Sequence, residues 1–217
     1  MDSLECMKQR HSVRSYLDKA IEPEKREALG ALIEDLNRTY GTNVQIFYDD
    51  PNVFKNADAS YGVFKGCKNY VLLVGRDAEK CGYVGEILAL KAQEMGLNTC
   101  FVALTYKKGA VKNKVRLNAG EKIQCNLAIG YGETQGVSHK GKAYAQVAEI
   151  HGEKAENFDA IVEACLLAPT ALNQQKFKVV CKDGKTEVKK SGFGFYTDVD
   201  LGIVKAHKDL IDGTIEW

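Results

Sequence analysis

A run of five consecutive aliphatic or aromatic residues, Y-V-L-L-V at positions 70–74, constrains the fold more than any other feature. A strand with water on one face alternates polar and apolar side chains, whereas this run has no polar side. A helical pattern over about 80–95 and a second apolar run over 99–104 follow it. The sequence therefore predicts a strand that is covered on both faces by other elements.

The remaining segments alternate between helical and strand patterns. Pro23 opens an amphipathic helix, and Asp198 is predicted to cap the last helix, which runs to about 211. A polar stretch up to about Ser60 allows a short helix. Further predictions are strands over 44–48 and 123–129, helices over 107–117 and 154–167, and a hairpin over 177–182 and 186–190.

The hairpin decides the fold class. Its turn is Asp183-Gly184, a dipeptide typical of tight connections between antiparallel strands. Since helices also alternate with strands, we predict an α+β fold of three α/β/α layers with a mixed, largely antiparallel central sheet. The chain is expected to form one domain over 1–217, with two interlocked halves, about 1–135 and 150–217, joined by a polar linker.

Composition excludes several functions. The 30 Lys and Arg balance 29 Asp and Glu, so binding to nucleic acid or to an anionic membrane surface is not expected. There is no run of 18 apolar residues and no signal-like start, so neither a membrane span nor secretion is expected. Seven cysteines without a C-x-x-C pair argue against a zinc site or disulfide framework and favour a reducing, cytoplasmic location.

The segment Arg10-His11-Ser12-Val13-Arg14 places two guanidinium groups on either side of a hydroxyl. On an extended chain, Arg10, Ser12 and Arg14 point the same way, and on a helix the two arginines lie one turn apart. Arginine pairs offer donors whose geometry matches a phosphate. The segment predicts an anion site, and a solvated basic turn is the alternative interpretation.

Residues 168–175, with the sequence A-P-T-A-L-N-Q-Q, join a predicted helix to a predicted strand. Loops at such junctions often hold ligands, and amide side chains can pair with both the donors and the acceptors of a planar heterocycle. The alternative is an ordinary loop whose amides bond their own backbone.

Two weaker candidates complete the set. Gly96 stops a helix before the apolar strand that reaches Leu104, and H-K-G-K at 139–142 places three cationic side chains in a loop. Taken alone, the first is a helix end and the second is a solvated surface. Asp198 and Asp200 are interpreted as helix-start residues rather than metal ligands, and G-F-G-F at 192–195 as a structural turn. Motifs for a dinucleotide fold, a phosphate loop, a zinc protease or a nucleophile elbow are absent from the sequence.

Together these segments resemble the nitroreductase family of FMN-dependent flavoproteins, from Cys6 to about Leu210. R-x-S-x-R is similar to the family's phosphate-end signature, and A-P-T-A-L-N-Q-Q is similar to its A-P-S-x-x-N-x-Q loop. Two further family segments are similar to the helix end at Gly96 and to the G-Y-G at 130–132 with the basic stretch that follows it. One departure is that the A-P-T loop lies in the C-terminal third instead of close to R-x-S-x-R, as in a rearranged subfamily of nitroreductases.

The resemblance implies a role for each matching residue. Arg10 and Ser12 are expected to bind the FMN phosphate and ribityl chain, and His11 to contribute its backbone or side chain. Arg14 is expected near the pyrimidine edge, where a positive charge favours the reduced flavin. The phosphate site is completed by Lys140 and Lys142. The expected ring contacts are Pro169, Thr170, Ala171 and Asn173, from the other subunit, and the backbone of Val102, Ala103 and Leu104 near flavin N5 and O4.

The resemblance also implies an activity: an FMN-dependent oxidoreductase, active as a homodimer, that takes hydride from NADH or NADPH. A nitroaromatic or quinone then accepts it in a ping-pong cycle, for which no protein nucleophile or metal is needed. Two alternatives stay open, because fold does not fix function. One is a flavin-binding protein with other chemistry, and the other is a binding module for a different phosphate ligand.

Overall fold

The computed structural model describes residues 2–55 and 63–215. Its helices are α1 (Ser3–Gln9), α2 (Pro23–Tyr40), α3 (Ala78–Glu94), α4 (Lys108–Val111), α5 (Tyr144–Val147), α6 (Phe158–Leu167) and α7 (Thr197–Ile211). Its strands are β1 (Gln45–Phe47), β2 (Tyr70–Gly75), β3 (Asn98–Val102), β4 (Lys122–Gly130), β5 (Ala148–His151), β6 (Phe177–Lys182) and β7 (Lys185–Lys190). None of the helices in these ranges is long and apolar enough to cross a membrane.

The strands form two sheets. The first is antiparallel throughout, with the order β1-β2-β4-β3. In the second, β6 lies between β5, to which it is parallel, and β7, to which it is antiparallel. The predicted α+β class with largely antiparallel strands flanked by helices is confirmed, and the predicted hairpin belongs to the second sheet. Its turn residues Asp183 and Gly184 have φ angles of 47° and 78°, as a tight hairpin turn requires.

Strand β2 is buried at every position, as its apolar run predicts. Val71 and Leu73 point into a core that includes side chains from α2, α3 and α7. The intervening residues Tyr70, Leu72 and Val74 point into a second core on the opposite face. Since side chains alternate along a strand, the absence of polar residues follows from the two covered faces.

Two predicted helix features are wrong. Helix α4 ends at Val111 instead of about 117. A longer helix would place Lys108, Lys112 and Arg116 four residues apart on one face, where like charges disfavour the helix by about 0.2–0.5 kcal/mol per pair. Asp198 does not cap α7. The residue before that helix is Tyr196, in the left-handed region, and Asp198 accepts a hydrogen bond from Lys190 instead.

The structure also contains elements that the sequence analysis missed. Helix α1 is capped by Asp2, whose carboxylate accepts from the amide of Leu4 at 2.8 Å. The expected linker contains α5 and β5, and β5 forms by pairing with β6, which a local pattern does not reveal. Predicted helix 154–167 begins later, at Phe158. The polar stretch up to Ser60 starts with a 3-10 turn at Pro51–Val53, and its part from residue 56 onward lies outside the described residues.

Helices α3 and α7 cross in backbone contact. A Cβ atom added at Gly82 would overlap the carbonyl oxygen of Val199, and one added at Gly202 would overlap that of Glu79. Only glycine lets two helix backbones approach this closely, because every other residue carries a Cβ atom. The crossing therefore fixes the start of α7 against α3 and the first sheet.

Replacing Gly202 by alanine should lower the free energy of unfolding by about 2–3 kcal/mol, because the new methyl group meets backbone that cannot move aside. The matched control is Gly30→Ala in α2, where nothing lies within 4 Å of the added atom. This control should raise stability by up to about 1 kcal/mol through helix propensity. Urea denaturation of both variants measures the difference, and equal effects would contradict the close crossing.

Candidate functional site

Two adjoining cavities open where the segment after α1, the end of β3, the loop before β6 and the start of α7 meet. We call the one lined by Asp200 the inner cavity, with a volume of about 110 Å³, and the one lined by Phe195 the outer cavity, with a volume of about 150 Å³. The residues that line both are Arg14, Phe101, Ala103, Ala171, Leu172 and Tyr196. Because these are shared, the cavities form one site built from both ends of the chain.

Many of the residues predicted from the sequence lie at this site. The predicted residues that line one or both cavities are Ser12, Arg14, Val102, Ala103, Leu104, Pro169, Thr170 and Ala171. Five others, Arg10, His11, Lys140, Lys142 and Asn173, lie outside this lining. The structure thus brings together three segments that are far apart in sequence and places the rest of the predicted set around them.

The segment at residues 10–14, which we call the first segment, reaches the site as extended chain beside β3. The amide of Val13 donates to the carbonyl oxygen of Thr99 at 3.0 Å, and the Val13 side chain is buried in the core. Because side chains alternate along extended chain, Ser12 and Arg14 point away from that core and into the cavities.

Arg10 is buried in a charged cluster behind this segment. Its Nε lies 3.5 Å from the carboxylate of Glu86, which is also 2.8 Å from Nε2 of His207. Nδ1 of His207 donates to the carbonyl oxygen of Ala164 at 2.7 Å, since a carbonyl can only accept. Neither Nε nor Nη1 of Arg10 has a hydrogen-bond partner among the described residues, although Nε is within ion-pair distance of Glu86. The cluster ties the end of α1 to α3 and α7, and two of its donors make no hydrogen bond there.

Positive charge surrounds the first segment. Burial, together with the nearby charges of Arg10 and His139, lowers the pKa of His11. Arg14 is exposed at the cavity, and its guanidinium has no carboxylate partner in the described part of the chain. A cation without a counter-ion at the mouth of a cavity is suited to an anionic or electron-rich ligand.

The basic segment at 139–142 packs on the loop before β6. The ammonium group of Lys142 donates to the carbonyl oxygen of Gln175 at 2.6 Å, and its amide donates to the Gln175 side chain at 2.5 Å. The Asn173 side chain donates to the carbonyl oxygen of Lys140 at 2.8 Å. The two candidate segments at 139–142 and 168–175 are therefore joined by hydrogen bonds into one structural unit.

The same loop is strained. Leu172, Asn173 and Gln175 have φ angles of 52°, 51° and 43°, and Tyr196 across the cavity has 60°. Residues with side chains adopt this left-handed region at a cost of about 1–2 kcal/mol each. Non-glycine residues in this conformation cluster at functional sites, where the surroundings hold them in place.

Two important residues of the site were missed from the sequence. Asp200 is buried at the inner cavity, where it accepts from the amide of Ala171 at 2.8 Å and from Nε2 of Gln174 at 2.7 Å. Burial raises its pKa to about 6. The Tyr196 hydroxyl donates to the carbonyl oxygen of Ala103 at 3.3 Å. In the sequence, Asp200 is marked only by the D-x-D at 198–200, and Tyr196 only by the glycine-aromatic turn before it. Both patterns have ordinary structural explanations.

Thiol chemistry is not a feature of this site. Cys125 lines the inner cavity, but burial raises its pKa to about 12, so the thiol is neutral. All seven cysteines are buried free thiols. The arrangement offers a ligand two things: a largely apolar cavity and the cationic side chain of Arg14 in its wall.

Comparison with known proteins points to one family. Residues 2–211 match the family model described as "Putative TM nitroreductase". A solved "putative nitroreductase" from Thermotoga maritima is 20% identical, with a TM-score of 0.67 over 97% of this chain and 83% of that one. No curated protein matches the sequence significantly.

Two further structures are similar over part of the chain. A "putative nitroreductase in complex with fmn" from Desulfovibrio desulfuricans is 18% identical, with a TM-score of 0.51 over 67% of this chain and 94% of that one. A "Nitroreductase Family Protein" from Streptococcus pneumoniae is 13% identical, with a TM-score of 0.54 over 66% and 97%. At these identities the structures establish the fold. The family model spans nearly the whole sequence, and the chain therefore belongs to the nitroreductase family that this model describes.

Proposed function

We propose that this chain is an FMN-dependent oxidoreductase that takes hydride from NADH or NADPH and passes it to an electron-poor acceptor, such as a nitroaromatic or a quinone. The observation that carries the proposal is the convergence of Ser12 and Arg14, the end of β3 and the loop at 169–171 on one site. The FMN complex of the Desulfovibrio relative supports the choice of cofactor. The hydride-transfer chemistry would be supplied by bound FMN, and the chain's own residues would bind and orient it.

The residues present fit such a group. Arg14 lines the cavity and has no carboxylate partner in the described chain. Behind it, the buried Nε and Nη1 donors of Arg10 make no hydrogen bond to the described residues. We assign Arg10, His11 and Ser12, with Lys140 and Lys142, to the phosphate and ribityl end. An unsatisfied buried donor carries a cost that an anionic ligand relieves, which supports this assignment.

The ring end is assigned to the cavity walls. Pro169, Thr170, Ala171 and Asn173 are proposed to contact one side of the ring, and the backbone of Val102, Ala103 and Leu104 to face its N5 and O4 edge. Arg14 would hold positive charge near the pyrimidine edge, and a charge fixed in advance favours negative charge developing there. Phe101 and Ala103 line the cavity, and their apolar side chains would exclude water from a ring bound there.

We propose a homodimer with the ring between two copies of the chain. Leu104, Leu172 and Phe195 line the outer cavity and are 42%, 74% and 78% exposed, an apolar rim that association would cover. Light scattering of the purified protein tests this homodimer, and a monomer would contradict it.

The late position of the A-P-T loop is proposed to mark a rearranged subfamily of nitroreductases. The single-domain organisation and the cytoplasmic location stay predictions.

Reduction by a nicotinamide cofactor tests the activity. The protein loaded with FMN is mixed anaerobically with NADH or with NADPH, and bleaching of the flavin absorption is followed with time. One of the two donors should reduce the flavin at least as fast as the enzyme turns over with a nitroaromatic acceptor. Adding that nitroaromatic should restore the flavin absorption. Bound flavin that neither donor reduces would point to other flavin chemistry. No uptake of FMN would point to another phosphate ligand.

Replacing Arg14 by alanine should raise the Kd for FMN about tenfold to a hundredfold, the loss expected for a charged hydrogen bond. The matched control is Arg38→Ala on α2, whose guanidinium is exposed and pairs with Asp35. Flavin fluorescence titration measures both variants. An unchanged Kd together with an unchanged rate of flavin reduction in Arg14→Ala would contradict the assigned role.

Replacing Leu172 by asparagine should separate backbone strain from binding. Asparagine tolerates the left-handed conformation, so the free energy of unfolding should rise by about 0.5–1 kcal/mol. The loss of an apolar wall should weaken FMN binding about fivefold. Leu17→Asn is the control, because Leu17 is also exposed but lines neither cavity and has no positive φ. Unchanged FMN affinity in Leu172→Asn would remove the loop from the binding site.

A further inference from the structure

Asp200 joins the start of α7 to two points of the loop before β6. It lies in the first turn of α7, is 6% exposed, and lines the inner cavity. One carboxylate oxygen accepts from the amide of Ala171 at 2.8 Å, and the other accepts from Nε2 of Gln174 at 2.7 Å. A single buried group therefore holds two points of the strained loop.

The contact extends to the opposite wall through Gln174. Its Nε2 also donates to the carbonyl oxygen of Phe195 at 2.8 Å, so one amide nitrogen bridges Asp200 and the turn at 193–196. Lys176 adds a parallel link, because its ammonium group donates to the carbonyl oxygen of Phe193 at 2.5 Å. These hydrogen bonds connect the two walls of the outer cavity, which are formed by Leu172 and Phe195.

We propose that Asp200 is a positioning residue, which sets the spacing of the two walls by accepting from Ala171 and Gln174 at once. The identity of the bound ligand rests on the function proposed above, whereas the spacing of the walls does not. Asp200 itself is not assigned to any proton or hydride transfer.

The chemistry of the two donors makes the carboxylate specific. Ala171 offers an N–H, and Gln174 cannot turn its amide round, because its nitrogen also serves the Phe195 carbonyl. A side-chain amide at position 200 has one acceptor and one donor, so one of the two contacts would become donor against donor. Asparagine has nearly the same shape as aspartate, so it tests this pattern with little change in packing.

The ionisation of Asp200 sets the conditions of the test. Burial raises its pKa to about 6, while the hydrogen bonds from Ala171 and Gln174 act in the opposite direction. The other charged or titratable groups that line the same cavity are Arg14, Cys125 and Tyr196. Burial raises the pKa of Cys125 to about 12 and also raises that of Tyr196. At pH 8 Asp200 is therefore the ionised acid of the cavity, and both its oxygens accept.

The first experiment is hydrogen exchange on the protein at pH 8 without added ligand. Asp200→Asn should lower protection of peptides covering 170–177 and 192–197 about tenfold, while protection of α7 beyond Gly202 stays as in the parent protein. Asp198→Asn is the matched control, because it lies in the same helical turn but is exposed and pairs with Lys190. Unchanged protection of both peptides, or loss of protection along all of α7, would overturn the proposal.

The second experiment tests whether Asp200 acts through Gln174. Asp200→Asn and Gln174→Leu should each raise the Kd for FMN about tenfold, and the double variant should be no weaker than either one, because both remove the same link. Asp198→Asn combined with Gln174→Leu should show the effect of Gln174→Leu alone. Additive effects of Asp200→Asn and Gln174→Leu would overturn the proposal. A parent protein that binds no FMN overturns the proposed function instead, and the exchange experiment then decides the role of Asp200.

Discussion

The close crossing of α3 and α7 is the constraint on which the site depends. Gly82 and Gly202 let the two helix backbones touch, which fixes α7 against α3 and, through α3, against the first sheet. The first turn of α7 carries Asp200, and the residue before it is Tyr196, so the crossing also places both groups at the cavities. A shift of α7 would move one wall of the site relative to the end of β3.

Charged side chains lie at two depths near the α3–α7 crossing, one buried behind the site and one at the cavities. Behind the site, Glu86 joins Arg10 and His207 in a buried cluster that links the first segment of the chain to α3 and α7. At the cavity, Arg14 stands without a carboxylate partner in the described chain, and Asp200 spends both oxygens on loop amides. Since Arg14 lines both cavities and Asp200 only the inner one, the outer cavity presents a cation without a carboxylate among its described lining residues, which suits a phosphate-bearing flavin.

The sequence was sufficient to predict those elements whose pattern lies within one short segment. The apolar run of β2, the Asp183-Gly184 hairpin and the two motif segments were all predicted, because period, turn chemistry and residue type are visible over a few positions. Strand β5 was missed because its four residues form a strand only by pairing with β6. Asp200 was missed because its role arises from contact with residues 171 and 174, which no spacing in the sequence reveals.

The central claim is that this site holds FMN, and the visible absorption spectrum of the purified protein tests it most directly. The account predicts a flavin spectrum, and release of the cofactor by denaturation should yield FMN rather than FAD. Added FMN should also raise the melting temperature of any flavin-free fraction, since a ligand that binds only the folded state stabilises it. A colourless protein that neither takes up FMN nor gains stability from it would contradict the account.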